Sequence, residues 1–447
     1  MQKLACIILA AGKGTRMKSD LPKPLHAVAG QAMVRHVIDA AGALAPEKTV
    51  VVVGPDMQAL EAAVAPHPVA VQQVPNGTGG AVKPAAAHLQ GFDGDIIVLF
   101  GDSPLITTDS IEKLVRLRRA HPDTGLVFSA MRPADPGGYG RMVVTEGDIL
   151  ERIVEFKDAG EDERKITLCN GGIMCADGAR LFDWLDKLGN DNAQGEYYLT
   201  DLPQIARAEN RTARIVELPE EDMAGINSRA ELARVERIFQ QRLRQKAMEG
   251  GATLQDPDTV MLSFDTEIAH DVTIGAHVVF GRGVRIESGA EILPFCHLEE
   301  CVIRKGAKIG PFARIRPGSE IGEAAKIGNF VEIKKTVIGK GAKASHLSYL
   351  GDAEIGDGAN IGAGTITCNY DGFSKFKTVI GRGAFIGSNT ALIAPVTVGD
   401  GAYIGAGSAL SSDVPADALA VVRAKTLIRK EWAKKFREKQ KQQDKGE

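Results

Sequence analysis

The sequence predicts two folds in one chain: an α/β domain with a Rossmann-like, mostly parallel sheet, joined by a helix to a left-handed parallel β-helix of hexapeptide repeats. Three observations carry this. Between residues 268 and 412 one aliphatic position recurs every six residues. In the N-terminal half, short apolar runs alternate with stretches of helical periodicity, the pattern of βαβ units. Between the two, residues 228–249 set Leu232, Val235, Phe239 and Leu243 at helical spacing among charges and end at Gly250-Gly251. The expected division is residues 1–229, a linker helix over 230–250, and 251–447 with a basic tail.

Composition narrows the class. The chain has 447 residues, a net charge of −3, 25% charged residues and 44% hydrophobic ones, which suits an ordinary enzyme of two or three domains. Nothing in that balance favours nucleic acid as a partner. No apolar run approaches the roughly 18 residues of a membrane span. Residues 1–11 are short, apolar and lead straight into a motif, so a signal peptide is not expected. The six cysteines form no CxxC pair or zinc spacing, and reduced thiols in a cytoplasm are the simplest account.

The first predicted strand is Leu4–Leu9, an unbroken apolar run. It ends in Ala10-Ala11-Gly12-Lys13-Gly14-Thr15-Arg16-Met17. Small residues after a strand let backbone lie against phosphate, and Lys13 and Arg16 add positive charge. Met17 stands where a dinucleotide fingerprint has its third glycine, and no GK[ST] follows, so this is a phosphate loop of another kind. Pro22-Lys23-Pro24-Leu25 follows closely. Further strands are expected at 49–53 and 95–100, and helices at 33–44 and 110–120. In such a domain ligands sit beyond the carboxyl ends of the strands. Asp102 lies there, within Phe100-Gly101-Asp102-Ser103-Pro104, a fitting place for a magnesium ligand. Gln72 and Gly77-Thr78 stand in the preceding loop and suit base recognition.

The coil is written in its rungs: Ile274, Phe280, Ile286, Ile292, Leu298, then after a slip of one Ile303 through Ile333, Ile338 to Leu350, Ile355 to Thr367, and Ile380 to Leu410. A period of six fits a triangular coil in which each hexapeptide forms one side. Eighteen residues then separate equivalent positions, so Arg316 and Lys334 should stack on one face and attract an anion. His346 is the only histidine after His297, which argues for proton transfer rather than a metal cluster. The ladder breaks at Thr367-Cys368-Asn369-Tyr370-Asp371-Gly372-Phe373-Ser374-Lys375-Phe376-Lys377, an insertion that should leave the coil on its binding face. Residues 425–445 are strongly basic, with Trp432 and Phe436 four apart, and read as a solvated helix capping the last coil.

Leu-Ala-Ala-Gly-x-Gly-Thr-Arg-Met followed by a Pro-Lys segment resembles the sugar-phosphate nucleotidyltransferase superfamily. Tyr139-Gly140-Arg141, Glu155, Asn170 and Asn227 in the first half, with Gly362-Ala363-Gly364-Thr365 and Asn369-Tyr370-Asp371-Gly372 in the second, make the whole chain similar to one family within it. That family is the bifunctional GlmU enzymes, N-acetylglucosamine-1-phosphate uridyltransferases and glucosamine-1-phosphate N-acetyltransferases. The resemblance implies that Arg16 and Lys23 hold the triphosphate and sugar phosphate and act in catalysis. It implies that Leu9, Ala10, Ala11, Gly12, Gln72, Gly77, Thr78, Phe100 and Gly101 meet the uridine nucleotide, that Gly140, Glu155 and Asn170 meet the sugar, and that Asp102 and Asn227 bind Mg²⁺. Phe100 stands where the family has Tyr. In the coil, His346 would be the general base, with Arg316, Lys334, Tyr349 and Asn360 on the amino-sugar phosphate. Ala363, Ser388, Ala406 and Arg423 would bind acetyl-CoA, with Asn369 and Tyr370 alongside. Substrates would be UTP, glucosamine 1-phosphate, N-acetylglucosamine 1-phosphate and acetyl-CoA, and the assembly a homotrimer with sites between subunits. Two rival readings stand beside this one. A single-activity nucleotidyltransferase with a passive coil would have no use for Lys334, His346 or the Asn369-Tyr370 insertion. A non-catalytic assembly subunit would not need Arg16, Lys23 and Asp102.

Overall fold

The computed structural model describes residues 3–443. Met1 and Gln2, at the head of the 1–11 stretch, and the last residues of the basic tail, 444–447, lie outside the described residues. Contacts divide the chain into two compact units, Met1–Gln245 and Lys246–Glu447.

In the first unit nine strands form one sheet, in the order Val69–Val71, Lys48–Val53, Leu4–Leu9, Asp95–Phe100, Cys169–Asp177, Thr124–Met131, Thr212–Glu217, Ile149–Val154, Arg141–Thr145. The first four run parallel, as their alternation with helices predicts. Cys169–Asp177 enters antiparallel between Asp95–Phe100 and Thr124–Met131, and brings the second half of the sheet with it. Leu4–Leu9 reads as an unbroken apolar run because both its faces are covered. Ala5, Ile7 and Leu9 join one core layer with Trp184, Leu181 and Phe128. Leu4, Cys6 and Ile8 join the other with Val34, Val37, Ile38 and Leu114. Each such aliphatic side chain removed from water contributes about 1.5–3 kcal/mol. The flanking helices are Met33–Gly42 and Thr108–Ala120, the first two residues shorter than its periodicity predicts.

The long helix Arg229–Glu249 is more than a connector. Val235 is buried with Met17, Val28, Met33, Leu105 and Ile226, and Leu232, Ile238 and Phe239 pack on the same cluster. Polar ties reinforce it. Glu236 accepts the Ala29 amide at 2.8 Å, and Arg242 donates to the Leu105 carbonyl at 2.7 Å and to Asp222 at 2.8 Å.

The second unit is a three-sided parallel coil of hexapeptide repeats. Ile274, Ile292, Ile309 and Ile327 stack along one side. Leu298, Ile315, Ile333 and Leu350 stack along the second, and Ile286, Ile303, Ile321, Ile338 and Ile355 along the third. Every rung is buried, including Thr367. That polar rung is tolerated because its hydroxyl accepts the Gly351 amide at 2.8 Å and lies 3.0 Å from the Gly351 carbonyl. One-residue slips in the ladder are 17-residue coils, which keep register by tightening a corner. Corners need left-handed backbone, and glycines such as Gly341 and Gly358 supply it. One corner is built differently. His277, Phe295, Phe312 and Phe330 all take positive φ there, and their rings stack at 5.0, 4.9 and 5.1 Å. Stacking offsets part of the backbone cost, which is roughly 1–2 kcal/mol per residue.

Among the described residues no helix is long and apolar enough to cross a membrane. All six cysteines are free, and five of them are buried.

Candidate active sites

The loop after Leu4–Leu9 is shaped by its two glycines in different ways. Gly14 sits at φ +63°, and a Cβ there would lie 2.5 Å from the Lys23 Cβ. Only glycine lets the loop close over Lys23. A Cβ on Gly12 would meet nothing within 4 Å, so the space above that residue is open. Leu9, Ala10, Ala11, Gly12, Lys23, Gln72, Gly77, Thr78, Phe100 and Asp102 line one cavity of about 240 Å³, together with Glu196. Gly101 lies under it, its amide bonded to the Leu9 carbonyl at 2.9 Å. The far wall is pinned by Gly77 at φ +101°. The Gly79 amide donates to the Tyr197 carbonyl at 2.8 Å, and the Leu199 amide to the Thr78 hydroxyl at 3.1 Å.

At the mouth of this cavity Lys23 donates to Asp102 and, at 3.2 Å, to Asn227. Two oxygen donors thus converge on one cation. That donor set fits a hard divalent ion whose remaining positions go to water and phosphate. Among the described residues no group of three or more His, Cys, Asp or Glu side chains could hold a metal, so a protein-only cage is not on offer. Asn227 is held by the start of the long helix, where its amide donates to Glu231 at 2.6 Å and Ser228 accepts the Glu231 amide at 3.3 Å. Beyond it a second cavity of about 450 Å³ is lined by Arg16, Tyr139, Asn227, Glu231 and Arg234. A larger one, about 500 Å³, lies by Phe92 and Phe182 near the amino end of Asp95–Phe100, and its acidic residues Asp93 and Asp183 offer nothing to a phosphate.

Gly140, Glu155 and Asn170 come from three segments. The Asn170 amide donates to the Gly140 carbonyl at 2.9 Å, and a Cβ on Gly140 would lie 3.5 Å from Glu155 Oε2. Burial pushes the Glu155 carboxyl above the usual carboxylate range, against a lowering hydrogen bond from Thr200 at 3.1 Å.

In the coil, the register sets Ile315 beside Ile333, so Arg316 and Lys334 are neighbours on adjacent turns. Lys375, from the insertion, completes the group. The Lys334 ammonium is pushed below the ordinary lysine range, first by Lys375 and then by burial and Arg316. Three cations held together in this way suit an anion. Arg316 is partly compensated by Glu332 at 2.7 Å. Tyr349 is on the next coil, paired with Glu332, and a Cβ on Gly351 would lie 2.9 Å from the Asn369 amide nitrogen. Asn369, expected alongside acetyl-CoA, donates to Asp352 at 2.5 Å, and the Asp352 carboxylate acts on Lys334, so Asn369 stands beside the cationic group. Tyr370 and Gly372 close the insertion, where Asp371 accepts the Phe373 and Ser374 amides at 2.8 and 2.7 Å.

His346 Nδ1 lies 2.8 Å from Asn329 Oδ1. A carboxamide oxygen only accepts, so Nδ1 carries a proton, and in the neutral ring the lone pair is on Nε2. The corner just after His346 continues into Ala363, Ser388, Ala406 and Arg423. The Asn389 amide donates to the Ala363 carbonyl at 2.7 Å, the Gly407 amide to the Ser388 carbonyl at 2.8 Å, and a Cβ on Gly407 would meet Arg423 Cδ at 3.6 Å. These four follow one another from turn to turn, Ala363 half-buried and Ser388, Ala406 and Arg423 exposed. Asn360 stands two residues ahead of the corner glycine Gly362, its amide bonded to Ala384 at 2.9 Å.

Three residues escaped the sequence reading. Asn329 is seventeen residues before His346, one short coil away, so coil arithmetic reaches it. Lys375 carried no such signal, because an insertion has no period. Glu196 lies in an irregular loop with nothing to mark it.

A model of the MobA-like NTP transferase domain matches residues 6–168. A bacterial transferase hexapeptide model matches residues 300–335 and 377–412. The bifunctional protein GlmU of Paramagnetospirillum magneticum is 53% identical over 439 residues, 98% of this chain and 97% of that protein. Those of Rhodospirillum rubrum and Zymomonas mobilis are 53% and 48% identical, each over 98% of both chains. With a nucleotidyltransferase core, a hexapeptide coil and this similarity from end to end, the chain belongs to the bifunctional GlmU family.

Proposed function

We propose that the chain makes UDP-N-acetylglucosamine in two steps, one in each unit, acetylating glucosamine 1-phosphate and then joining the product to UTP. What carries the reading is that each unit holds its own constellation within a chain similar over nearly its full length to bifunctional GlmU proteins. We assign the residue roles as follows.

In the coil, Arg316, Lys334 and Lys375 take the phosphate of glucosamine 1-phosphate, with Tyr349, Asn360 and Asn369 on the sugar. Acetyl-CoA lies along the row Ala363, Ser388, Ala406, with Arg423 on its phosphates. Small side chains there leave room for the pantetheine arm. The amine attacks the thioester carbon, His346 Nε2 takes the amine proton, and the C–S bond breaks to release the CoA thiolate, which is protonated in turn. Asn329 keeps the imidazole in the tautomer that can do this.

In the α/β unit, UTP occupies the cavity between the Gly12–Gly14 loop and Thr78, the base at Gln72 and Gly77. The sugar sits by Gly140, Glu155 and Asn170. The sugar phosphate attacks the α-phosphorus in line, and pyrophosphate leaves past Lys23 and Arg16, which neutralise its charge. A divalent ion, which we take as Mg²⁺, would be held by Asp102 and Asn227 and would supply further charge neutralisation. We place the protein in the cytoplasm, where free thiols persist, and read it as a homotrimer.

The test supplies acetyl-CoA, glucosamine 1-phosphate, UTP and Mg²⁺, and follows CoA and pyrophosphate separately. Both should appear, CoA first. Asp102→Ala should stop pyrophosphate release and leave CoA release near normal. Equal loss of both from a folded variant would sink the assignment of separate sites.

A further inference from the structure

Gly140, Glu155 and Asn170 lie far apart in sequence, yet one residue adjoins all three. Strand pairing aligns Arg141 with Val154 and with Cys169. Each sugar-side residue is therefore the chain neighbour of Arg141 itself or of a residue paired with it.

Arg141 is unusual in its surroundings. It is 2% exposed. Among the described residues no carboxylate pairs with it, although a buried guanidinium ordinarily has one. Its donors go to backbone carbonyls instead: Tyr139, Gly137 at 3.1 Å, Pro136 at 3.3 Å and Arg164 at 3.4 Å. The Phe156 ring lies 5.4 Å from the guanidinium carbon, which adds a cation–π contact. Three of the four carbonyls belong to the turn that carries Tyr139 and Gly140. Its other ties are amide hydrogen bonds near its two ends: the Gly137 amide donates to Asp135 at 2.9 Å, the Tyr139 amide to the Pro136 carbonyl at 3.2 Å, and the Asn170 amide to the Gly140 carbonyl at 2.9 Å. Cβ atoms built on Gly138 would meet nothing within 4 Å, and Gly137 is at φ +40°.

We propose that Arg141 is a positioning residue for the uridyl reaction, fixing the 136–140 turn against the sugar so that the acceptor phosphate is aimed at the nucleotide. The proposal rests on the uridyltransferase reading above. A planar fork with five donors can span four carbonyls, whereas a lysine ammonium gathers its donors at one point. A mobile turn costs affinity and aim at the sugar while leaving the nucleotide cavity, walled by other segments, alone.

The experiment uses the full-length protein and the variants Arg141→Lys and Arg141→Met. Steady-state constants are measured for N-acetylglucosamine 1-phosphate and for UTP, with melting temperature as the folding control and acetyl transfer by the same preparation as the measure of enzyme concentration. KM for the sugar phosphate should rise about tenfold or more in Arg141→Met and less in Arg141→Lys, with KM for UTP and acetyl transfer within about twofold of wild type. An unchanged sugar-phosphate KM overturns the proposal. So does a parallel rise in both KM values with a lower melting temperature, which would make Arg141 a general support of the fold. Wild type that releases no pyrophosphate with this pair would overturn the uridyltransferase reading instead, and the inference with it.

Discussion

Glu155 pays for its place in the proposed sugar pocket. Burial raises its folded pKa above the ordinary glutamate value, so the native state binds its proton more tightly than the unfolded chain does. Between those two values stability falls as pH rises, and the penalty is fully present above the raised pKa. Glu155→Gln keeps the shape and removes the charge. It should melt higher than wild type at pH 7.5, by about 2–4 °C for each kcal/mol regained, and the gap should shrink toward pH 4. Sugar-phosphate KM should rise in the same variant. A melting difference that does not depend on pH would refute the burial account. At His346 two variants separate chemistry from orientation. His346→Ala should lower acetyl transfer by roughly 10²–10⁴-fold. Asn329→Leu keeps the imidazole but loses the acceptor for its Nδ1 proton, and should lower kcat by about tenfold with KM for glucosamine 1-phosphate unchanged. Single residues such as these were legible in the sequence only where a period or a motif pointed at them. His346 stood in a marked segment and Asn329 one coil before it, whereas Lys375 became visible only once the insertion folded back on Lys334.

Among elements, the phosphate loop divides its work between two glycines that look equivalent on paper. Gly14 needs left-handed backbone and the space beside Lys23. Gly12 needs neither, and faces open room. Gly14→Ala should therefore lower both the melting temperature of the α/β unit and UTP affinity. Gly12→Ala should leave the melting temperature alone and raise UTP KM, because its methyl group enters the space above the loop. Differential scanning calorimetry with nucleotide titration distinguishes them, and identical behaviour of the two variants would contradict the division. The coil shows the opposite relation between sequence and element. Its rungs could be read off directly, since a buried position repeats every six residues and stays buried even where the count slips by one. The corner that stacks Phe295, Phe312 and Phe330 could not. Positive φ is a backbone property, and phenylalanine is a residue from which it is not inferred.

For the whole molecule, the position of the helix Arg229–Glu249 decides how the chain may be cut. Sequence spacing marked it as a linker over 230–250. The cluster around Val235 shows its first half packed on Met17, Met33 and Leu105. A fragment of residues 1–245 should thus remain a stable uridyltransferase. A fragment of residues 1–229 would expose that cluster and should melt lower and aggregate more readily, since burying Leu232, Val235 and Phe239 is worth several times about 1.5–3 kcal/mol before strain and entropy are counted. Comparable melting of the two fragments would return the helix to the role of a spacer. The α/β sheet was foreseen through its parallel strands. The antiparallel entry of Cys169–Asp177 was not, because strand order depends on contacts between residues that no local pattern links.

Each turn of the coil bonds only to the turns beside it, and every proposed acetyl-transfer residue comes from Arg316 onward. The earlier turns, from Glu267 to Leu298, are therefore interchangeable units of length. Removing residues 268–285 takes out one complete turn and leaves Ile286 to follow Glu267 in the phase Ile268 had, so the stack can reclose and the chemistry travel one strand spacing, about 4.8 Å, toward the start of the coil. Removing a turn between Arg316 and His346 instead would break up the cluster of cations. Modularity in this protein is confined to one end: the coil can be shortened like a tape at its start, but from Arg316 on its numbering is fixed by what it holds.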